Sequence, residues 1–196
     1  MLEKNSALVV EVKRNTKMNK TNNSTYNVYV ISNIHPSRYD VINELCEDLD
    51  YRFNLFNPHI NNEYNLDNSK IEFKVFEKDK LEIDKADISL VLMPLFGRDC
   101  AAEIGYSYGI GNTVIAYVSE MNSKQDKDWL NDWMVKGFIN YIVTLNKEVY
   151  ELLRKDVLLN GKENRDGENV FLIEKKELSD VIERLHFIQM KGGKRK

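Results

Sequence analysis

The sequence predicts an α/β protein in which a parallel sheet of about five strands is covered by helices on both faces. The clearest strand signal is residues 87–95, "DISLVLMPL", whose nearly continuous apolar character is typical of a parallel strand buried on both faces. Strand-like and helix-like segments alternate along the chain, as they do where helical crossovers connect parallel strands. A further strand and helix near the C-terminus form an appendage to this sheet.

The first half of the chain contains two strand signals and two helix signals. A strand is expected at residues 26–32, "YNVYVIS", followed by a helix over about 38–49, where apolar residues recur at helical spacing. A second strand is expected within residues 51–56, and the Asn-rich stretch 57–69 is interpreted as a long loop or a short insertion. Residues 70–85 combine a strand-like "IEFKVF" with a helix-like continuation, and we favour a helix there.

The second half continues the alternation after the strand at 87–95. A loop over 96–103 leads into a helix that stops at Gly111, and a strand follows at 112–118. Next come a helix at 126–137, a strand at 138–144 and a helix at 146–159. A flexible connector at 159–169 precedes the final strand and helix within 170–190. We therefore divide the chain into a flexible N-terminal extension (1–25), the main α/β domain (26–158) and a C-terminal strand–helix extension with a basic tail (159–196).

Composition narrows the classes of protein and partner. The chain has 196 residues and a formal net charge of -3, so no basic footprint points to a nucleic-acid partner. Two cysteines, Cys46 and Cys100, and three histidines indicate neither a disulfide framework nor a metal site. Every apolar run is shorter than the ~20 residues that cross a bilayer, so we expect no membrane partner and a cytoplasmic location. We predict no metal and no cofactor.

The loop and helix after residue 95 are the expected site of chemistry. Parallel sheets bind ligands beyond the carboxyl ends of their strands, so residues 96–103 lie at the mouth of a crevice. Glu103 is expected in the first turn of the helix, where a carboxylate is able to act as nucleophile or general base. The plain alternative is that Glu103 balances the helix dipole, that Asp99 is the N-cap, and that Arg98 is its solvated neighbour.

The segment "GRDCAAEIGYSYGIGNTVIAYV" resembles the signature of the nucleoside 2-deoxyribosyltransferase superfamily. In that family a small-residue loop precedes E-[IL]-G-[YF]-A, which is followed by G-K-P-V-I, and the resemblance covers about residues 26–144. It implies a three-layer, Rossmann-like and flavodoxin-like sheet, assembly as a homodimer or larger homo-oligomer, and a nucleoside or nucleotide with a free nucleobase as small-molecule substrates.

The resemblance also implies roles for individual residues. Glu103 matches the family's nucleophile, and Tyr29 matches a first-strand tyrosine that orients it through a hydrogen bond. Asp79 has the spacing of the residue that holds the nucleobase. Asn131 and Met134 match a stretch that reaches into a neighbouring subunit's pocket. For Tyr29 and Asp79, a core tyrosine and a surface charge on a helix are the plain alternatives.

Five further residues are candidates for substrate binding. Ser32 and Asn33 follow the first strand and face the same crevice, and Arg98 is a possible contact for phosphate or sugar. The family's transferases carry an acidic residue about six positions before the nucleophile, where this chain has Gly97, and Asp99 stands closer. The family's terminal carboxylate has no match here, so the resemblance leaves transfer and hydrolysis both open.

The expected function is cleavage of the N-glycosidic bond of a 2′-deoxynucleoside or its monophosphate through a covalent glycosyl-glutamate intermediate. One alternative is a (deoxy)nucleoside 5′-monophosphate N-hydrolase, in which water is the acceptor. Another is a non-catalytic module that uses the crevice to bind a nucleotide. A NAD-cleaving enzyme is less favoured, because no G-x-G-x-x-G follows the first strand.

Overall fold

The computed structural model of the protein describes residues 25–33, 39–50, 52–61, 71–93, 97–119, 132–155, 158–159, 162–163 and 168–192. Within these ranges the centre of the fold is a six-stranded sheet in which every neighbouring pair is parallel. Its strands are β1 (Asn27–Ile31), β2 (Asn54–Phe56), β3 (Ile88–Met93), β4 (Thr113–Val118), β5 (Tyr141–Thr144) and β8 (Val170–Leu172). A short antiparallel hairpin is formed by β6 (Leu158–Leu159) and β7 (Lys162–Glu163).

The strand order in the sheet is β2-β1-β3-β4-β5-β8. The prediction of an α/β parallel sheet is confirmed, but the sheet has six strands rather than about five. The difference arises because β8 pairs with β5, with Ile142 opposite Val170, so the predicted C-terminal strand extends the sheet. This pairing joins segments far apart in the sequence, which strand propensity alone does not specify.

Helices cover both faces of the sheet and complete a three-layer arrangement. They are α1 (Tyr39–Asp50), the single turn α2 (Pro58–Asn61), α3 (Ile71–Lys85), α4 (Arg98–Ile110), α5 (Trp133–Phe138), α6 (Lys147–Leu153) and α7 (Leu178–Gly192), with a 3-10 turn at Lys175–Glu177. Apolar residues of α1 and α7 pack on one face, and those of α3, α4, α5 and α6 pack on the other.

The central strands supply the core because both of their faces are covered. In β3, Leu90 and Leu92 pack with α1 and α7, whereas Val91 and Met93 pack with the opposite helices. All six residues of β3 and all six of β4 are buried. This explains the nearly continuous apolar run that made the β3 signal so clear.

Several element predictions are tested by this arrangement. The helix favoured at 70–85 is confirmed as α3, and Gly111 ends α4 in a left-handed conformation with φ of 98°. The helix predicted to run to residue 159 instead ends at Leu153, because Leu158–Leu159 form a strand of the β6–β7 hairpin. A short apolar run does not distinguish these two structures.

Two predictions fall mainly outside the described residues. Of the N-terminal extension, only Thr25 is described, and of the predicted helix at 126–137 only its end is described, within α5. In the part of the chain that the structure describes, no helix combines the length and the apolar character needed to cross a membrane.

Candidate functional site

The candidate site lies where the order of the strands reverses. The chain passes from β1 to β2 on one side and then to β3 on the other, so the switch point lies between β1 and β3. Helix α4, which follows β3, packs on the sheet face that carries the Tyr29 side chain. A side chain on α4 and one on β1 therefore meet beside this switch point.

The start of α4 differs from the sequence prediction. Gly97 is the N-cap, with extended backbone (φ -90°, ψ 163°) and no side-chain capping bond, so Asp99 is not the N-cap. Arg98 is the first helical residue, which places Glu103 in the second turn and not in the first. The helix dipole acts mainly within the first turn, so it favours the charge of Asp99 rather than that of Glu103.

Gly97 also allows a close approach within this turn. A β-carbon at position 97 would collide with the Asp99 carboxylate and push that side chain out of its place. Gly97 therefore leaves the space that the Asp99 carboxylate occupies.

Glu103 is half-buried beside other carboxylates. Tyr29 Oη donates a hydrogen bond to Glu103 Oε1 at 3.3 Å, and Tyr29 itself is completely buried. Burial is the main cause that raises the pKa of Glu103 to about 8, the negative charges of Asp79 and Asp99 raise it further, and the Tyr29 hydrogen bond lowers it. The side chain is therefore mostly protonated at neutral pH and ionises as the pH rises through about 8.

The structure brings four of the predicted site residues together. Tyr29, Asp79, Asp99 and Glu103 interact as one group, formed by β1, α3 and α4. Their roles in catalysis and binding stay predictions. A carboxyl group with a pKa near neutrality is able to exchange a proton with a substrate or, once ionised, to attack an electrophilic carbon.

The other candidates lie around this group or apart from it. Ser32 and Asn33 follow β1 and are partly exposed, and the buried Ser32 hydroxyl oxygen has no hydrogen-bond partner in the described ranges. Arg98 is exposed at the start of α4. Met134 is 56% exposed in the first turn of α5, and Asn131 lies outside the described residues.

Cys100 is a nearby group that does not fit a nucleophilic role. Its side chain is buried in the core beneath α4. Burial, with smaller contributions from Asp99 and Glu103, raises the pKa of the thiol to about 12. The thiolate, which is the reactive form, is therefore suppressed at physiological pH.

Two residues near Tyr29 were missed by the sequence reasoning. The Phe56 ring stacks on the Tyr29 ring with 5.6 Å between centroids and 9° between planes. The Lys78 Nζ lies 5.7 Å from the Phe56 centroid. Phe56 and Tyr29 are register partners in β2 and β1, a pairing that would have to be known before the sequence could point to Phe56.

Neither a family model nor a curated protein matches the sequence. A 2-deoxyribosyltransferase from the psychrotolerant bacterium Bacillus psychrosaccharolyticus is similar in structure, with a TM-score of 0.45, 20% identity, and coverage of 59% of this chain and 83% of that chain. A conserved protein from Enterococcus faecalis V583 has a TM-score of 0.41, 18% identity, and coverage of 82% and 99% respectively. Neither similarity assigns a substrate or a residue role to this chain.

Proposed function

We propose that this protein is a nucleoside 2-deoxyribosyltransferase-like enzyme that cleaves the N-glycosidic bond of 2′-deoxynucleosides or their monophosphates. The observation that carries the proposal is the half-buried Glu103, held by Tyr29 and surrounded by the charges of Asp79 and Asp99. Such an arrangement disfavours the ionised form of the glutamate and costs stability when it ionises. Carboxyl groups with perturbed pKa values are concentrated at functional sites, because catalysis requires pKa values that ordinary surroundings do not give. The signature around Glu103 in the sequence supports the same role.

Glu103 is the proposed nucleophile. Tyr29 donates its hydrogen bond to Oε1, so we assign the attack to the other carboxylate oxygen, Oε2. Its electron pair forms a bond to C1′ of the sugar while the C1′–N bond breaks, and the base leaves with that bond's electrons and takes up a proton from water. Asp79 is proposed to hydrogen-bond the departing base.

The second displacement reverses the first with a new acceptor. A ring nitrogen of another base attacks C1′ and releases its proton to water, while the ester bond breaks and its electrons return to the Glu103 carboxylate. Two inversions give net retention, as in retaining glycosidases. Water in place of the base would give the free sugar. The positive charge that develops on the sugar ring is stabilised by the neighbouring Asp79 and Asp99 carboxylates.

The surroundings of Glu103 also predict how the activity depends on pH. Only the ionised side chain is a nucleophile, and the pKa of Glu103 is raised to about 8. The rate of bond cleavage is therefore expected to rise with pH until Glu103 is fully ionised.

Product analysis tests the proposal. Purified protein is incubated with each deoxynucleoside and deoxynucleotide, with and without a second free base, and the products are separated by chromatography. Glu103→Gln is expected to lower the rate by at least about 10³-fold, since only binding contributions remain. The matched control is Glu148→Gln, which changes an exposed glutamate of α6 and should leave the rate unchanged.

The pattern of products separates the possibilities. A new nucleoside that forms only with the acceptor base supports a transferase, and free base without an acceptor supports the hydrolase. Binding of a nucleotide without any product from any substrate would contradict the enzyme proposal and favour a binding module. Full activity of Glu103→Gln would contradict the proposed nucleophile.

A further inference from the structure

The Tyr29 ring has very different neighbours on the two adjoining strands. Its register partner in β3 is Ser89, a small residue whose hydroxyl donates to Ser107 Oγ at 2.9 Å. Its register partner in β2 is Phe56, whose ring stacks nearly parallel to it, with 9° between the planes. Phe56 thus places a large flat ring against one side of the Tyr29 ring.

Phe56 itself lies at the edge of the sheet. Strand β2 has three residues and pairs only with β1 in the described sheet, so its backbone is held on one side. The ammonium group of Lys78 adds a contact from α3, 5.7 Å from the centroid of the Phe56 ring. Lys78 Nζ also donates a hydrogen bond to the Asn61 carbonyl oxygen, which holds the lysine near the end of α2.

The hydrogen bond between Tyr29 and Glu103 is long. Tyr29 Oη and Glu103 Oε1 are 3.3 Å apart, at the outer limit of a useful hydrogen bond. A small rotation of the Tyr29 ring would lose it, because hydrogen bonds weaken steeply with distance and angle. The orientation of the Tyr29 ring therefore decides whether Glu103 keeps this donor.

We propose that Phe56 is a positioning residue for the candidate site: its ring keeps the Tyr29 hydroxyl against Glu103, and Lys78 keeps the Phe56 ring in place. Phe56 acts through Tyr29 and is given no contact with the substrate. Helix α3 then serves the site twice, because Asp79 acts on Glu103 directly and Lys78 acts through Phe56 and Tyr29. The effect on catalysis rests on the proposed function, whereas the effect on Glu103 does not.

The direct test follows the ionisation of Glu103 in the full chain. Protein labelled with ¹³C at the glutamate side-chain carboxyl carbon is titrated by NMR, and the Glu103 signal is identified by its loss in Glu103→Gln. Tyr29→Phe removes the donor that lowers the pKa of Glu103, so the titration should move upward by about 0.5–1 pH unit, the size of one net hydrogen bond. Phe56→Ala should move it upward to a similar extent.

A double variant decides whether Phe56 acts through Tyr29. In Tyr29→Phe protein, the added Phe56→Ala change should move the titration no further. Leu55→Ala is the matched control, because Leu55 is next to Phe56 but packs on the opposite face of the sheet, and it should leave the titration unchanged. Shifts that add in the double variant, or a Glu103 titration unaffected by Phe56→Ala, would overturn the proposal.

Further variants test the role of Lys78 and guard against a folding failure of Phe56→Ala. Lys78→Gln should give a smaller upward shift that disappears in Tyr29→Phe protein, whereas a shift that persists would show a direct effect of charge and refute the role of Lys78. Phe56→Leu keeps apolar bulk without a flat ring, so it serves if the alanine variant does not fold, and it should shift the titration as alanine does. Phe56→Tyr keeps the ring and should restore the wild-type titration.

The catalytic consequence is measured separately. If the wild type turns over a deoxynucleoside, Phe56→Ala should lower kcat about fivefold, equivalent to one net hydrogen bond, with little change in KM. A protein without turnover would contradict the proposed function while the NMR titrations still test the role of Phe56. A rise in KM with kcat unchanged would indicate substrate binding by Phe56 and overturn the positioning role.

Discussion

Two groups of carboxylates, one on each face of the sheet, have opposite electrostatic surroundings. On the face covered by α1 and α7, Lys175 Nζ lies 2.7 Å from Glu44 Oε1 and 3.0 Å from Asp48 Oδ2, and Arg52 pairs with Asp180. On the other face, Glu103 is half-buried beside like charges, and its hydrogen-bond donor is Tyr29. None of the described residues forms an ion pair with Glu103.

This difference separates what stabilises the protein from what is available for chemistry. The carboxylates near α7 are paired with cations at or near the surface, and the pairs made by Lys175 join α1 to the C-terminal segment. Glu103 is destabilised as an anion by burial and by its neighbours. An unfavourable arrangement of this kind is expected where function requires it and where the rest of the core supplies enough stability.

The largest expected effect on folding lies on the α7 side. Ile182 is completely buried, so Ile182→Ala removes apolar contacts and leaves a cavity. We expect a loss of about 2–5 kcal/mol in the free energy of unfolding, measured by urea denaturation. Met190→Ala, at an exposed position of the same helix, is the control with little effect. Equal stability of both variants would show that α7 does not belong to the core.

The next effect concerns Glu103 and has a definite sign. Its pKa in the folded protein, about 8, lies above the ordinary 4.5, so its contribution to stability is fully present below about pH 4.5 and is lost as the pH rises through about 8. Glu103→Gln does not ionise and should unfold like the wild type near pH 4 but be more stable near pH 9, by roughly 1–4 kcal/mol. Urea denaturation at the two pH values measures this, and a variant less stable than wild type at high pH would contradict the unfavourable surroundings of the anion.

A smaller change should follow from removing one neighbouring charge. Asp99 raises the pKa of Glu103, so Asp99→Asn should move the acidic limb of the kcat/KM profile to lower pH, by up to about one unit. Asp40→Asn is the matched control, since Asp40 is the exposed first-turn acid of α1. An unshifted limb in Asp99→Asn would show that the two carboxylates are not coupled in solution.

The smallest expected effect is on the paired carboxylates. Lys175→Ala breaks the contacts to Glu44 and Asp48, but ion pairs at the surface contribute little to stability, so the loss in unfolding free energy should be far smaller than that of Ile182→Ala. The loss should shrink further at high salt because exposed charges are screened. A loss as large as that of Ile182→Ala would place a main source of stability in this ion-pair cluster and remove the contrast between the two faces.

Local signals in the sequence were enough for much of the fold. The apolar run of β3 and the glycine that ends α4 each report on their own short segment, and both were predicted. The start of α4 at Gly97 was not, because Asp99 and Glu103 are both plausible first-turn residues by composition alone. Only the observed backbone places Glu103 in the second turn.

Features that depend on pairing between strands far apart in the chain could not be predicted from the sequence. Strand β8 pairs with β5, and the number of residues between the two strands does not determine which residues lie opposite each other. The stack of Phe56 on Tyr29 likewise follows from the alignment of β2 with β1. The hydrogen bond between Tyr29 and Glu103 is present in the structure, whereas the catalytic roles of these two residues stay predictions.

The most direct test of the central claim is to trap a sugar on the protein. The protein is incubated with a deoxynucleoside that carries fluorine at C2′, which destabilises the positively charged transition state and slows breakdown of the ester, and is then digested and analysed by mass spectrometry. The account predicts an added mass equal to the sugar on the peptide that contains Glu103, and no such adduct in Glu103→Gln. A sugar attached to another residue, or turnover of the substrate without any adduct, would contradict the assignment of Glu103 as the nucleophile.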